Sequence, residues 1–229
     1  MLTCTLMVPS GIPGLDDLIE GGFPIPSTIL VAGEPGTGKT TLAVQSIFDA
    51  ARQGGTGIYL AAISEPPWVV QSFLSNFDFY DNSLVESNRV IFADLGSSLV
   101  YEPEKLLERL QNLVETYEPS RLVIDPVTPI REILERKGLN DREFMHNLFA
   151  YLKTLSCTTL ITAEQNYATI PSSLEGYMVD GVIVMSYPEE EGIRRKYIEV
   201  LKFRGTDHIT GRQLLDITRE GMSVQAGLR

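Results

Sequence analysis

The sequence predicts an α/β fold, with a mostly parallel central sheet flanked by helices and an antiparallel extension at the C-terminal end. Three observations carry this. A short β-branched apolar run, Ser27 to Ala32, leads into a glycine-rich loop and then into a helix-forming stretch, Thr41 to Gln53, stopped by Gly54-Gly55. Apolar strand-like runs then alternate with amphipathic helical stretches as far as Ala163, the pattern of a parallel sheet with helical crossovers. From Gly181 onward the strand-like runs follow one another without helices, which suits antiparallel pairing.

The 229 residues suit one α/β domain spanning 1–229, with its core at about 11–222 and enough interior to need no disulfide staples. No apolar run approaches the roughly 20 residues that cross a bilayer. The opening residues, Met1 to Val8, lack the basic start and cleavage pattern of a signal peptide, so a cytoplasmic protein is expected. Cys4 and Cys157 stand far apart and read as reduced thiols. The formal net charge is −11. Nucleic-acid binding draws its affinity from phosphate neutralisation, so this acidic balance argues against it.

Leu15, Leu18 and Ile19 have helical spacing before Gly21-Gly22, and Phe23 to Pro26 forms an extended lead-in to the first core strand. Gly57 to Ile63 reads as the second strand, followed by a helix from Trp68 to Asn76 that Pro66-Pro67 would start. Arg89 to Asp94 is a third strand and Glu104 to Tyr117 an amphipathic helix. Arg121 to Asp125 is the next strand. A short helical segment, Ile130 to Lys137, a longer helix, Asp141 to Leu155, and the strand Thr158 to Ala163 follow. Gly181 to Ser186, Arg194 to Phe203 and Leu214 to Thr218 are the late strands, with a turn at Pro188 to Gly192.

The chemistry centres on Gly33-Glu34-Pro35-Gly36-Thr37-Gly38-Lys39-Thr40, a full G-x-x-x-x-G-K-[ST] phosphate-binding loop in strand–loop–helix context. Without Cβ atoms, Gly36 and Gly38 let the chain bend tightly and aim successive N–H groups at phosphate oxygens. The first turn of the following helix, with Thr41, adds unpaired N–H groups and the positive end of its dipole. Lys39 would reach the β- and γ-phosphates, and the Thr40 hydroxyl would ligate Mg²⁺.

Three strand ends offer further groups. In open α/β sheets, functional residues gather at the carboxyl ends of strands. Glu65 sits where a base could meet the γ-phosphate, although a helix start alone favours a carboxylate there. Asp125 ends an apolar strand. Alone it would read as a helix cap; downstream of a phosphate loop it reads as the Walker B aspartate, which holds Mg²⁺ through water. Glu164 and Gln165 follow a strand and could sense the γ-phosphate, with a solvated loop as the equal alternative. Lys202 and Arg204 share one side of an alternating strand. They suit either an anion or an ordinary solvated edge.

These motifs, in order, resemble the KaiC-like branch of RecA-superfamily ATPases in single-domain form. The likeness rests on Gly11-Ile-Pro-Gly-Leu-Asp16 through Gly21-Gly22, the phosphate loop, Arg121 to Asp125 and Lys202-x-Arg204-Gly-Thr-x-His208. It implies a RecA-like P-loop NTPase core that binds ATP and Mg²⁺ between neighbouring subunits of a ring, commonly a hexamer. Lys39, Thr40 and Asp125 would then serve the chain's own nucleotide. Lys202 and Arg204, with Thr206 and His208 nearby, would reach the γ-phosphate on the adjacent subunit. The family usually carries two adjacent glutamates where this chain has Ser64-Glu65. A hydroxyl cannot act as a base near pH 7, so the expected ATPase is slow and signals through assembly or a regulatory protein partner. The alternatives are a non-hydrolysing ATP-binding scaffold and, disfavoured by charge, a RecA-type DNA-dependent ATPase.

Overall fold

The structure is a computed structural model that describes residues 6–62, 65–225 and 227. The expectations for Cys4, Ile63 and Ser64 lie outside the described residues.

A small antiparallel ribbon, β1 (Leu6–Val8) with β2 (Phe23–Ile25), brackets the lead-in segment. Between them the expected helix is a single 3-10 turn, Asp16–Leu18, which buries Leu15, Leu18 and Ile19. Left-handed backbone at Gly14 and Gly21 bounds it on both sides, so it cannot propagate. β3 (Ser27–Gly33) then enters the phosphate loop and α1 (Lys39–Arg52). The chain continues through β4 (Gly57–Ala61), α2 (Pro67–Leu74), α3 (Asn82–Glu86), β5 (Val90–Asp94), α4 (Gly96–Tyr101) and α5 (Leu106–Tyr117). Next come β6 (Arg121–Asp125), α6 (Thr128–Arg136), α7 (Asp141–Leu152), β7 (Thr158–Ala163), α8 (Leu174–Met178) and β8 (Gly181–Ser186). A two-residue ribbon, β9 (Glu189–Glu190) with β10 (Ile193–Arg194), precedes β11 (Tyr197–Phe203), β12 (Gln213–Thr218) and β13 (Gly221–Gln225).

One sheet orders these strands β13-β12-β11-β8-β3-β7-β6-β4-β5. The six from β8 to β5 run parallel, and β11, β12 and β13 extend them antiparallel. Alternate residues of each parallel strand feed two apolar layers. Ile29, Val31, Tyr59 and Val123 meet Leu42, Ile47 and Phe48 of α1. Leu30, Ile58, Leu122 and Ile124 meet Leu106, Ile130, Leu134 and Phe149 of α5, α6 and α7. Burial on both faces explains why β3 and β6 read as continuous apolar runs. Among the described residues no helix is long and apolar enough to cross a membrane.

Two of the points that fasten the lead-in to this core centre on Arg121 and Gly14. Arg121, 2% exposed, donates to the Pro9 carbonyl at 3.0 Å and to Ser46 Oγ, and lies 5.2 Å above the Phe23 ring. Burial pushes its guanidinium pKa down to about 10, with Asp49 and Asp16 opposing. At the second point Val224 N–H donates to the Pro13 carbonyl at 2.8 Å, and Gly14 adopts φ +79° against the same strand. A Cβ on Gly14 would sit 2.0 Å from the Val224 carbonyl oxygen. Gly14→Ala is therefore expected to destabilise by about 2 kcal/mol or more. In urea unfolding, the midpoint should fall with the slope unchanged.

Candidate functional site

The phosphate loop joins the buried end of β3 to the first turn of α1. Gly36 and Gly38 carry φ +79° and +107°, the left-handed geometry that glycine supplies without strain. Gly38 caps α1, and no side chain bonds the helix's first N–H groups. These groups therefore face the loop's interior as donors for an anion. The buried Thr37 hydroxyl donates to the Glu34 carbonyl at 2.8 Å, fixing the curl of the loop.

Lys39 is 8% exposed, and its ammonium donates to the Gly33 and Glu34 carbonyls at 2.9 and 3.0 Å. It pairs with no carboxylate among the described residues. Desolvation lowers its pKa, with the Glu164 and Asp125 charges opposing. Asp125, at the tip of β6, is 6% exposed. It accepts from Tyr59 Oη at 2.8 Å and from the Thr162 hydroxyl. Burial, and then the Asp125 charge, hold the Tyr59 phenol well above its usual range, so it stays a donor.

These groups share a cavity of about 700 Å³, whose polar wall includes Gly36, Lys39, Thr40, Glu65, Asp125 and Glu164. Thr41 also lines it, with Val70, Phe73 and Ile217 as its apolar lining. Gln165 lies elsewhere. It lines a neighbouring cleft with Gly33 and Glu34 and donates to Glu175 at 3.3 Å, while Glu164 takes the place beside Lys39. Lys196 also reaches the cavity, donating to the Gly36 carbonyl and lying 4.3 Å above the Tyr187 ring.

Lys202 and Arg204 stand at the opposite end of the strands. Phe203 pairs with Gly181, which pairs with Ile29, whereas the loop end of the same ladder pairs Met185 with Gly33. Four residues of strand, about 13 Å, separate the two levels. Lys202 Nζ donates to the carbonyls of Val179 at 2.7 Å, Gly176 at 3.0 Å and Tyr177 at 3.4 Å, where α8 ends. Burial, with Arg204 beside it, lowers its pKa. Arg204 donates to the Tyr177 carbonyl at 3.1 Å and pairs with Asp180 at 3.3 Å. Thr206 and His208 follow on a loop that leans on the lead-in: Asp207 N–H meets Glu20, and Ile209 N–H meets the Leu18 carbonyl.

Sequence reasoning passed over Tyr59, Thr162, Phe73, Ile217 and Lys196. Tyr59 and Thr162 reach Asp125 because β4 and β7 flank β6, an adjacency only the sheet order reveals. A polar residue near the end of each strand was the available signal. Among the described residues no cluster of three or more His, Cys, Asp or Glu could hold a metal unaided. The donors here, one hydroxyl and one aspartate beside a phosphate cradle, fit Mg²⁺ carried by a nucleotide, because Mg²⁺ takes few protein ligands when phosphates supply the rest.

A family model described as "ATPase: KaiC" matches residues 8–229. The circadian clock oscillator protein KaiC of Nostoc sp. is 31% identical over 224 residues, covering 93% of this chain and 43% of that protein. The KaiC of Parathermosynechococcus lividus is 30% identical over 226 residues, 94% of this chain and 41% of that protein. The chain thus spans less than half the length of these relatives. The crystal structure of a KaiC-like protein from the archaeon Pyrococcus horikoshii OT3 superposes with a TM-score of 0.85 at 29% identity, covering 97% of this chain and all of that one. With its phosphate loop and its RecA-like sheet, the chain belongs to the KaiC ATPase family.

Proposed function

We propose that the protein binds MgATP in the Lys39 cavity and hydrolyses it slowly, with Lys202 and Arg204 of an adjacent copy completing each site. The carrying observation is Lys39 itself: a buried ammonium answered only by backbone carbonyls, facing Asp125 and Glu164 across a cavity built on a glycine loop. The loop N–H groups and Lys39 would bind the phosphates. Thr40 would ligate Mg²⁺ and Asp125 would hold it through water. Glu65 would orient the attacking water. Val70, Phe73 and Ile217 would receive the base.

The position of Lys202 and Arg204 supports the shared site. At the far end of the strands they lie away from their own chain's cavity, on a surface a neighbour can meet. A cation supplied from a partner stabilises charge developing in phosphoryl transfer, so turnover depends on assembly. A homo-oligomer, expected as a hexamer, follows, and signalling passes through assembly or a regulatory protein partner.

Three outcomes test this. In single-turnover ATP cleavage, Lys39→Ala and Glu65→Gln should each lose about 10²-fold or more. Equal product from wild type and both variants sinks the catalytic assignment, and no phosphate released by wild type over hours leaves a scaffold. Lys202→Ala/Arg204→Ala should bind nucleotide like wild type yet hydrolyse about 10³-fold more slowly. Mixing it with Lys39→Ala should restore phosphate release, and two inert partners that stay inert together would contradict the shared site. Tyr59→Phe frees one Asp125 oxygen and should raise the Mg²⁺ concentration for half-maximal activity about tenfold. An unchanged Mg²⁺ titration would remove Asp125 from metal binding.

A further inference from the structure

The five-residue helix α8 touches both ends of the proposed mechanism with three consecutive residues. Glu175, 1% exposed, accepts from Gln165, next to Glu164 on the phosphate cavity. The carbonyls of Gly176 and Tyr177 hold Lys202, and the Tyr177 carbonyl also holds Arg204. Gln165 shares its cleft with Gly33 and Glu34, the residues whose carbonyls bind Lys39. A shared cleft, one side-chain hydrogen bond and the turn of α8 therefore connect the phosphate loop's first residues to the cations at the other end of the strands.

The two grips differ in strength. Glu175 is anchored by Arg131 at 3.4 Å, which is itself held by Asp141 at 3.3 Å. Gln165 is tied to Glu175 by its amide N–H₂, while its buried amide oxygen has no partner among the described residues. An amide half-satisfied in the interior gains by moving whenever a neighbouring donor is rearranged. Within one chain the cations rest on α8 and the residues just after it: Lys202 on three carbonyls, Arg204 on Tyr177 and Asp180. To meet a phosphate on another copy they must leave those partners.

We propose that α8 is a relay in which Glu175 is a positioning residue. Nucleotide in a chain's own cavity shifts the end of β7, where Glu164 lines the cavity and Gln165 follows it; Glu175 carries the shift to the α8 carbonyls, and the release of Lys202 and Arg204 toward the neighbour becomes easier when that chain's own cavity is filled. This rests on the shared-site reading above and adds a direction to it.

Mixed assemblies test it. The acceptor is Lys202→Ala/Arg204→Ala, which keeps its own cavity and offers no cations. One donor is Lys39→Ala, whose cavity stays empty; the other is Glu65→Gln, whose cavity fills without turnover. Phosphate release is read from each mixture with MgATP, against each variant alone as background. The filled donor should support the acceptor about fivefold better than the empty one. Adding Glu175→Gln to the donors should abolish that difference, and Glu175→Asp should restore part of it. A general structural role for Glu175 would weaken both donors alike and keep their ratio. Gln165→Ala cuts the same link from its other end and replaces Glu175→Gln should that chain fail to assemble. Equal support from both donors overturns the relay while the shared site stands, as does a ratio that survives Glu175→Gln. Support from neither donor overturns the shared site, and the relay falls with it.

Discussion

A desolvated ammonium governs the arrangement of this molecule. A charge taken out of water is costly unless it is answered, and two backbone carbonyls answer Lys39 only in part. The rest of the region is shaped around that deficit. The loop curls because two glycines accept left-handed backbone. The helix that follows leaves its first donors without a side-chain cap. β6 brings a carboxylate to the same cavity and, with its neighbours, fixes it from two sides. An anion with several oxygens is the ligand such a setting suits, because it satisfies the cation and the uncapped helix together.

Much of this was legible in the sequence, for identifiable reasons. β3, the phosphate loop and α1 are specified within the single stretch Ser27 to Arg52, and each requirement is local. The boundaries of β6 and β7 matched the expectation because apolar runs buried on both faces end abruptly at polar residues. The lead-in glycines announced a special backbone, but only contact with Val224 explains Gly14. What escaped was short or non-local. α3, α4 and α8 have five or six residues each, too few for a helical period to emerge. β13 is short as well, with only Met222 and Val224 to mark its alternation. The choice between Glu164 and Gln165 turned on which of two adjacent side chains faces the cavity, and no pattern in one chain reports that.

The antiparallel extension does more than lengthen the sheet. Because β11 runs against β8, its start lies beside the phosphate loop and its end lies at the other rim. One strand therefore carries Lys196 to the first location and Lys202 to the second. The bulge between Val200 and Lys202 shifts the register just before the second cation. Bulges commonly re-aim a side chain in this way.

The separation of cavity and cations has a geometric corollary. Under the proposed shared site, a chain that gives from one rim and receives at the other could meet its copy in two ways: antiparallel, with both sites completed at one twofold junction, or head-to-tail, with one site completed per junction. Only the second would give the assembly a sense of rotation, and a single angle at the junction would then decide whether it closes or winds on as a filament.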